Sequence, residues 1–91
     1  MAVTNRATEF EYLLGQYSRT TCKAGCYKIS GFGESIHCSE TGLYLESDCH
    51  IQVMSLLPVR NGRGWMVMAR AKLFLSADQP EVWIWVGDIK Q

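Results

Sequence analysis

The feature that most narrows the fold of this 91-residue chain is its punctuation from Cys26 onward, where short apolar-rich runs alternate with turn residues. The runs are Cys26–Ser30, Glu34–Cys38, Leu43–Glu46, His50–Leu57, Trp65–Leu75 and Val82–Val86. Six short strands this closely spaced predict a mainly β (α+β) domain. The expected form is a six-stranded antiparallel meander that closes into a small barrel or curls strongly over residues 26–86.

Two turns set the expected registers. Gly31-Phe32-Gly33 reads as a three-residue hairpin loop with Gly33 in the left-handed position. A hairpin centred on Phe32 places Cys26 opposite Cys38, Tyr27 opposite His37 and Lys28 opposite Ile36. The second turn lies in Asn61-Gly62-Arg63-Gly64. A two-residue Asn-Gly turn would set Arg60 against Arg63, and like charges directly opposite each other repel. A three-residue loop instead pairs Val59 with Trp65, Leu57 with Val67, Val53 with Ala71 and Ile51 with Leu73. One face is then continuously apolar, while Arg70 and Lys72 fall on the solvated face.

Ahead of the strands, residues 8–19 carry a helical pattern. Phe10, Leu13, Leu14 and Tyr17 fall at i, i+3, i+4 and i+7. Thr8 and Glu11 stand at capping-box spacing, which satisfies two backbone donors at a helix start. Gly15 costs about 1 kcal/mol relative to Ala, so the expected helix is short and held by packing on the sheet. With no linker and no internal repeat, residues 1–91 form one domain of ordinary small size.

Composition bounds the function. Apolar residues make up 47% and charged residues 20%, the balance of a globular chain, and the formal net charge is zero. A general nucleic-acid or anionic-membrane role therefore gains no electrostatic support. No apolar run approaches the roughly 20 residues that span a bilayer. Met1–Arg6 lacks the basic and apolar regions of a secretory signal, so the expected location is cytoplasmic.

Ile36–Leu45 is the segment with most chemical content: Ser39, then Gly42 three positions later, then Leu43-Tyr44-Leu45. Ser39 offers a hydroxyl, and Gly42 permits close backbone approach or a left-handed turn. The same spacing also suits a plain turn between two strands. The segment resembles the PilZ family of small β-barrels, whose pattern is an Arg-rich stretch, then Asp or Asn, any residue, Ser, two residues and Gly leading into an apolar strand. Ser39 and Gly42 match, and Arg19 with Lys23 stand in for the leading basic pair.

The resemblance spans roughly residues 19–86 in strand order. It implies a domain in which Arg19, Lys23, Ser39 and Gly42 line a cyclic dinucleotide site, the cations facing phosphate and guanine edges. The sequence departs from the family at two places. His37 occupies the position of the acid, and Lys23 lacks the planar fork of an arginine. The resemblance therefore implies a PilZ-like barrel more strongly than dinucleotide binding.

The second constellation is Cys22, Cys26, Cys38 and Cys49, with His37 and His50 beside the last two. Four such ligands suit structural zinc, and the Cys22–Cys26 spacing lies within its range. Core thiols and a disulfide are the alternatives. His37 and Cys38 are adjacent in an expected strand and so point to opposite faces, which argues against a nucleophilic dyad. The carboxylates show no pairing suited to acid–base catalysis.

In the last strand Val82, Ile84 and Val86 point to one side, Trp83 and Trp85 to the other, so neither face is polar. A second copy of the chain can cover the tryptophan side, making Trp83 and Trp85 an expected homodimer interface. The sequence thus describes a non-enzymatic ligand-binding or protein-interaction module resembling a degenerate PilZ domain. The alternatives are a small zinc-stabilised cysteine domain and a homo-oligomeric β protein with no small ligand.

Overall fold

The apolar alternation folds as strands. In the computed structural model, which describes residues 7–31, 36–61, 64–74 and 80–90, six strands form one antiparallel sheet. They are β1 (Tyr17–Arg19), β2 (Ala24–Ser30), β3 (His37–Leu45), β4 (His50–Asn61), β5 (Gly64–Leu73) and β6 (Glu81–Trp85). The order across the sheet is β1-β4-β5-β6-β2-β3, so β4, β5 and β6 form a meander to which the β2–β3 hairpin adds along β6. The sheet is open, with β1 and β3 at its edges. After β6 a 3-10 turn, Val86–Asp88, returns the chain to the end of β1, where Thr20 bridges Ile89.

The six strands are not the six that the sequence suggests. The expected helix over residues 8–19 is a 3-10 helix from Ala7 to Leu13. Gly15 takes φ +77°, and its N–H donates to the Val53 carbonyl at 2.7 Å, so the chain turns into the sheet. Residues 17–19 then pair with β4 as an edge strand, Tyr17 opposite Gln52. Leu13 is buried and Phe10 packs on the core, whereas Leu14 and Tyr17 are exposed. The helical periodicity loses to a glycine whose left-handed conformation ends the turn.

Conversely, the expected runs Glu34–Cys38 and Leu43–Glu46 belong to one long strand, β3. Of the first run, Glu34 and Ser35 lie outside the described residues. The β4–β5 register also differs from either sequence option near the turn. Asn61 pairs with Gly64, Arg60 with Trp65, Val59 with Met66 and Pro58 with Val67. Gly62 and Arg63 lie outside the described residues. A bulge at Met54, between the Val53 and Ser55 pairs, then shifts the ladder by one residue. Beyond it, Val53 opposes Ala71 and Ile51 opposes Leu73, as the alternation requires.

The bulge reassigns faces. Ile51, Val53, Val67, Ala69, Ala71, Leu73 and Ile84 share the core with Leu13, Ala24, Cys26, Leu45, Val86 and Ile89. Ile84 is fully buried opposite Ala69, and burial of such a side chain contributes about 1.5–3 kcal/mol. Arg70 and Lys72 lie on the opposite face, facing Trp83 and Glu81. On that outer face Met68, between Leu57 and Trp85, is also fully buried.

Candidate functional site

The β2–β3 hairpin carries the segment with most chemistry, and its register differs from the expected one. Ser30 pairs with His37, Ile29 with Cys38, Lys28 with Ser39 and Tyr27 with Glu40. A hairpin centred on Phe32 would have set Lys28 against Ile36; Phe32 and Gly33 lie outside the described residues. The observed pairing sets buried Ala24 against buried Leu45, which the expected register does not.

Between the Gly25–Tyr44 and Tyr27–Glu40 pairs, Cys26 alone faces Thr41, Gly42 and Leu43. This is a bulge on the edge strand. Gly42 takes φ +84°, and the Thr41 hydroxyl donates to the Cys26 carbonyl at 2.9 Å. The same hydroxyl oxygen accepts the Leu43 N–H at 3.2 Å. The Ser39–Gly42 spacing therefore builds a bulge within one strand, not a turn between two. Bulges break an edge that could otherwise pair with another chain, and they re-aim the side chains that follow.

The re-aimed side chain is Tyr44. Its ring stands beside Gly25, where an added Cβ would meet Tyr44 Cε1 at 3.6 Å and Tyr27 Cε1 at 3.8 Å. The Lys23 ammonium sits 4.8 Å above the Tyr44 ring centroid, a cation–π contact. A depression of about 100 Å³ opens here, lined by Gly25, Cys26, Tyr27, Glu40, Gly42, Leu43 and Tyr44. A larger cleft of about 390 Å³ adjoins it through Tyr27 and Leu43 and extends to Lys28, Glu81 and Trp83. It opens where β2 and β6 meet at a single register pair, Tyr27 with Trp83.

Across the outer face one row runs Ser55, Arg70, Trp83, Tyr27 and Glu40. Burial pushes the Tyr27 phenol above its ordinary range, and the Glu40 carboxylate adds to the shift. Arg70 Nε is buried without a hydrogen bond among the described residues, with Glu81 Oε1 at 3.9 Å.

Of the residues expected to line a site, the structure brings Lys23 and Gly42 together through Tyr44. Ser39 lies on the same strand, exposed, opposite Lys28. Arg19 does not join them. It ends β1 and pairs with Asp48, Nη1 to Oδ1 3.3 Å. Glu40, Tyr27 and Tyr44 were not among the residues that the sequence assigned to a site. Only the bulge sets a carboxylate and two phenols around Gly42, and nothing in the spacing announced that register.

The cysteines do not converge. Cys22 is exposed, its thiol 3.4 Å from Asp88 Oδ1, whereas Cys26 is in the core and Cys38 lies opposite Ile29. Burial raises the Cys26 thiol above its ordinary value, with Cys49 adding to the effect, and burial raises Cys49 as well. All four are free thiols. Among the described residues no three or more His, Cys, Asp or Glu side chains are grouped to hold a metal ion.

Trp83 and Trp85 do face outward from the core, with Trp85 44% exposed and Trp83 partly covered in its row. β6 itself is interior, bonded to β5 on one side and β2 on the other, so a partner would meet its tryptophans and not its backbone edge. Among the described residues no helix is long and apolar enough to cross a membrane. No family model, curated sequence or solved structure matches the chain.

Proposed function

We propose that this chain is a non-enzymatic binding module, resembling a PilZ domain, whose ligand surface is the β3 bulge and its aromatic surroundings. The observation that carries the reading is the Lys23 ammonium held over the Tyr44 ring beside the Gly42 bulge. Two phenol rings and a carboxylate then border one depression, and the Lys23 ammonium sits over one of those rings. Such a set complements a cyclic dinucleotide. The ammonium takes phosphate, the rings offer planes for bases, and Glu40 can accept the two donors of a guanine edge. Glu40 thereby supplies the carboxylate that His37 does not. Arg19 plays no part in this version of the site, because Asp48 holds it elsewhere.

Calorimetric titration with cyclic di-GMP tests the reading. The expected result is saturable heat below about 100 µM ligand, at the weak end of useful recognition, with binding weakened in both Lys23→Ala and Glu40→Gln. Absence of heat at that concentration removes the dinucleotide and leaves a protein-interaction surface. Light scattering separates the remaining homodimer from a monomer, and Trp85→Glu should abolish any dimer built on the tryptophan side.

A further inference from the structure

A second polar cleft lies away from the bulge, where the end of β1, the β3–β4 connection and the C-terminal segment meet. It has a volume of about 350 Å³ and is lined by Thr20, Thr21, Ser47, Asp48 and Lys90. Thr20, 1% exposed, is the post around which it is built. Its hydroxyl donates to the Glu46 carbonyl at 2.7 Å and accepts the Cys49 N–H at 2.9 Å. Its backbone N–H donates to the Cys49 carbonyl, and its carbonyl accepts the Asp48 N–H. These four bonds fix the β3–β4 connection against β1, so the wall is set before any ligand arrives.

The C-terminal segment is held in the same way. The Lys90 N–H donates to the Arg19 carbonyl at 2.7 Å, which ties the segment to the end of β1. The Ser18 hydroxyl donates to the Lys90 carbonyl at 2.8 Å and holds that segment down. Asp48 adopts φ +63°, a conformation that non-glycine residues rarely take. Its carboxylate lies 3.3 Å from the Arg19 guanidinium. Asp88 and Glu46 stand nearby through their backbone carbonyls, which accept from Thr21 and Thr20.

We propose that this cleft binds a small phosphorylated polyhydroxy compound of the sugar-phosphate class. Lys90 in the lining takes the phosphate, helped by the Arg19 guanidinium that stands beside the Asp48 carboxylate. The Asp48 carboxylate accepts from ligand hydroxyls, and the Thr21 and Ser47 hydroxyls serve as donor or acceptor. Mixed charge around hydroxyls suits a ligand with both an anionic end and hydroxyl donors. A bare anion brings no hydroxyl donor to the Asp48 carboxylate. Among the described residues no aromatic ring lines the cleft to give an unphosphorylated sugar its usual apolar platform.

Ribose 5-phosphate, inorganic phosphate and ribose serve as probes, titrated separately while backbone amide shifts are followed by NMR. The expected result is saturation by ribose 5-phosphate below about 20 mM, with shifts at Thr21, Ser47, Asp48 and Lys90. Its affinity should exceed that of phosphate or ribose alone by about tenfold, the value of one further good hydrogen bond to a charged group. Lys90→Gln should weaken binding about three- to tenfold. Asp48→Asn, which keeps a residue tolerant of positive φ, should erase the advantage over inorganic phosphate. Shifts that stay linear to that concentration overturn the site, as does saturation unaffected by Lys90→Gln. Equal affinities for ribose 5-phosphate and phosphate overturn the ligand class. Shifts confined to Lys23, Gly42 and Tyr44 assign the probe to the bulge and also overturn it.

Discussion

Replacing Gly42 by alanine separates two reasons for a glycine at this place: the backbone of the bulge or the approach of a ligand. At φ +84° an L-residue with a Cβ pays steric strain of about 1–2 kcal/mol. An added Cβ at Gly42 meets nothing within 4 Å, so no packing term enters. Alanine also stiffens the unfolded chain, which offsets about 0.4–1 kcal/mol. The net expectation is a loss of about 1 kcal/mol, or about 4–8 °C in Tm for a domain of this size. Urea and thermal unfolding measure it. Gly42→Asn should cost distinctly less, because asparagine enters the left-handed region readily. Gly25→Ala, where the new Cβ makes only ordinary contacts with Tyr44 and Tyr27, should be close to neutral. If Gly42→Ala is as stable as the parent, or Gly25→Ala is the more damaging of the two, the bulge account of Gly42 is wrong.

Three further outcomes follow from buried groups. Thr20→Val should destabilise by about 2–4 kcal/mol, since the Cys49 N–H and Glu46 carbonyl both lose a buried partner, whereas Thr20→Ser should recover most of it in denaturant titrations. Timed alkylation of the native protein should modify exposed Cys22 first and Cys26 only at the rate of opening, because burial both shields the Cys26 thiol and disfavours its thiolate. The folded-state thiols of Cys26 and Cys49 titrate above their unfolded values, so the unfolded chain releases those protons first as pH rises. Their contribution is therefore complete at neutral pH and declines above about pH 8.5; denaturation midpoints between pH 7 and 10 check the sign, and Cys26→Ala should flatten the decline.

The amino-acid sequence alone determined the class of structure, because period-two alternation between turn residues admits little besides short antiparallel strands. It placed Ile51, Val53, Ala71 and Leu73 correctly against one another and put Arg70 and Lys72 outside, since burial of one face tolerates no slip there. What it held ambiguously were the glycines. Gly15 and Gly42 fit a weak helix interior and a turn as readily as the positions they take, and local propensity does not say which. The bulges at Met54 and at Thr41–Leu43 were decided only in three dimensions, where residues distant along the chain had to meet in one core. The candidate sites follow from those bulges and from the return of the C-terminal segment to β1. Tyr44 turned toward Lys23, Glu40 paired with Tyr27, and Lys90 bonded to Arg19 are long-range contacts that no spacing encodes. Alternation is a local property of the chain, whereas the meeting of two side chains depends on every register between them.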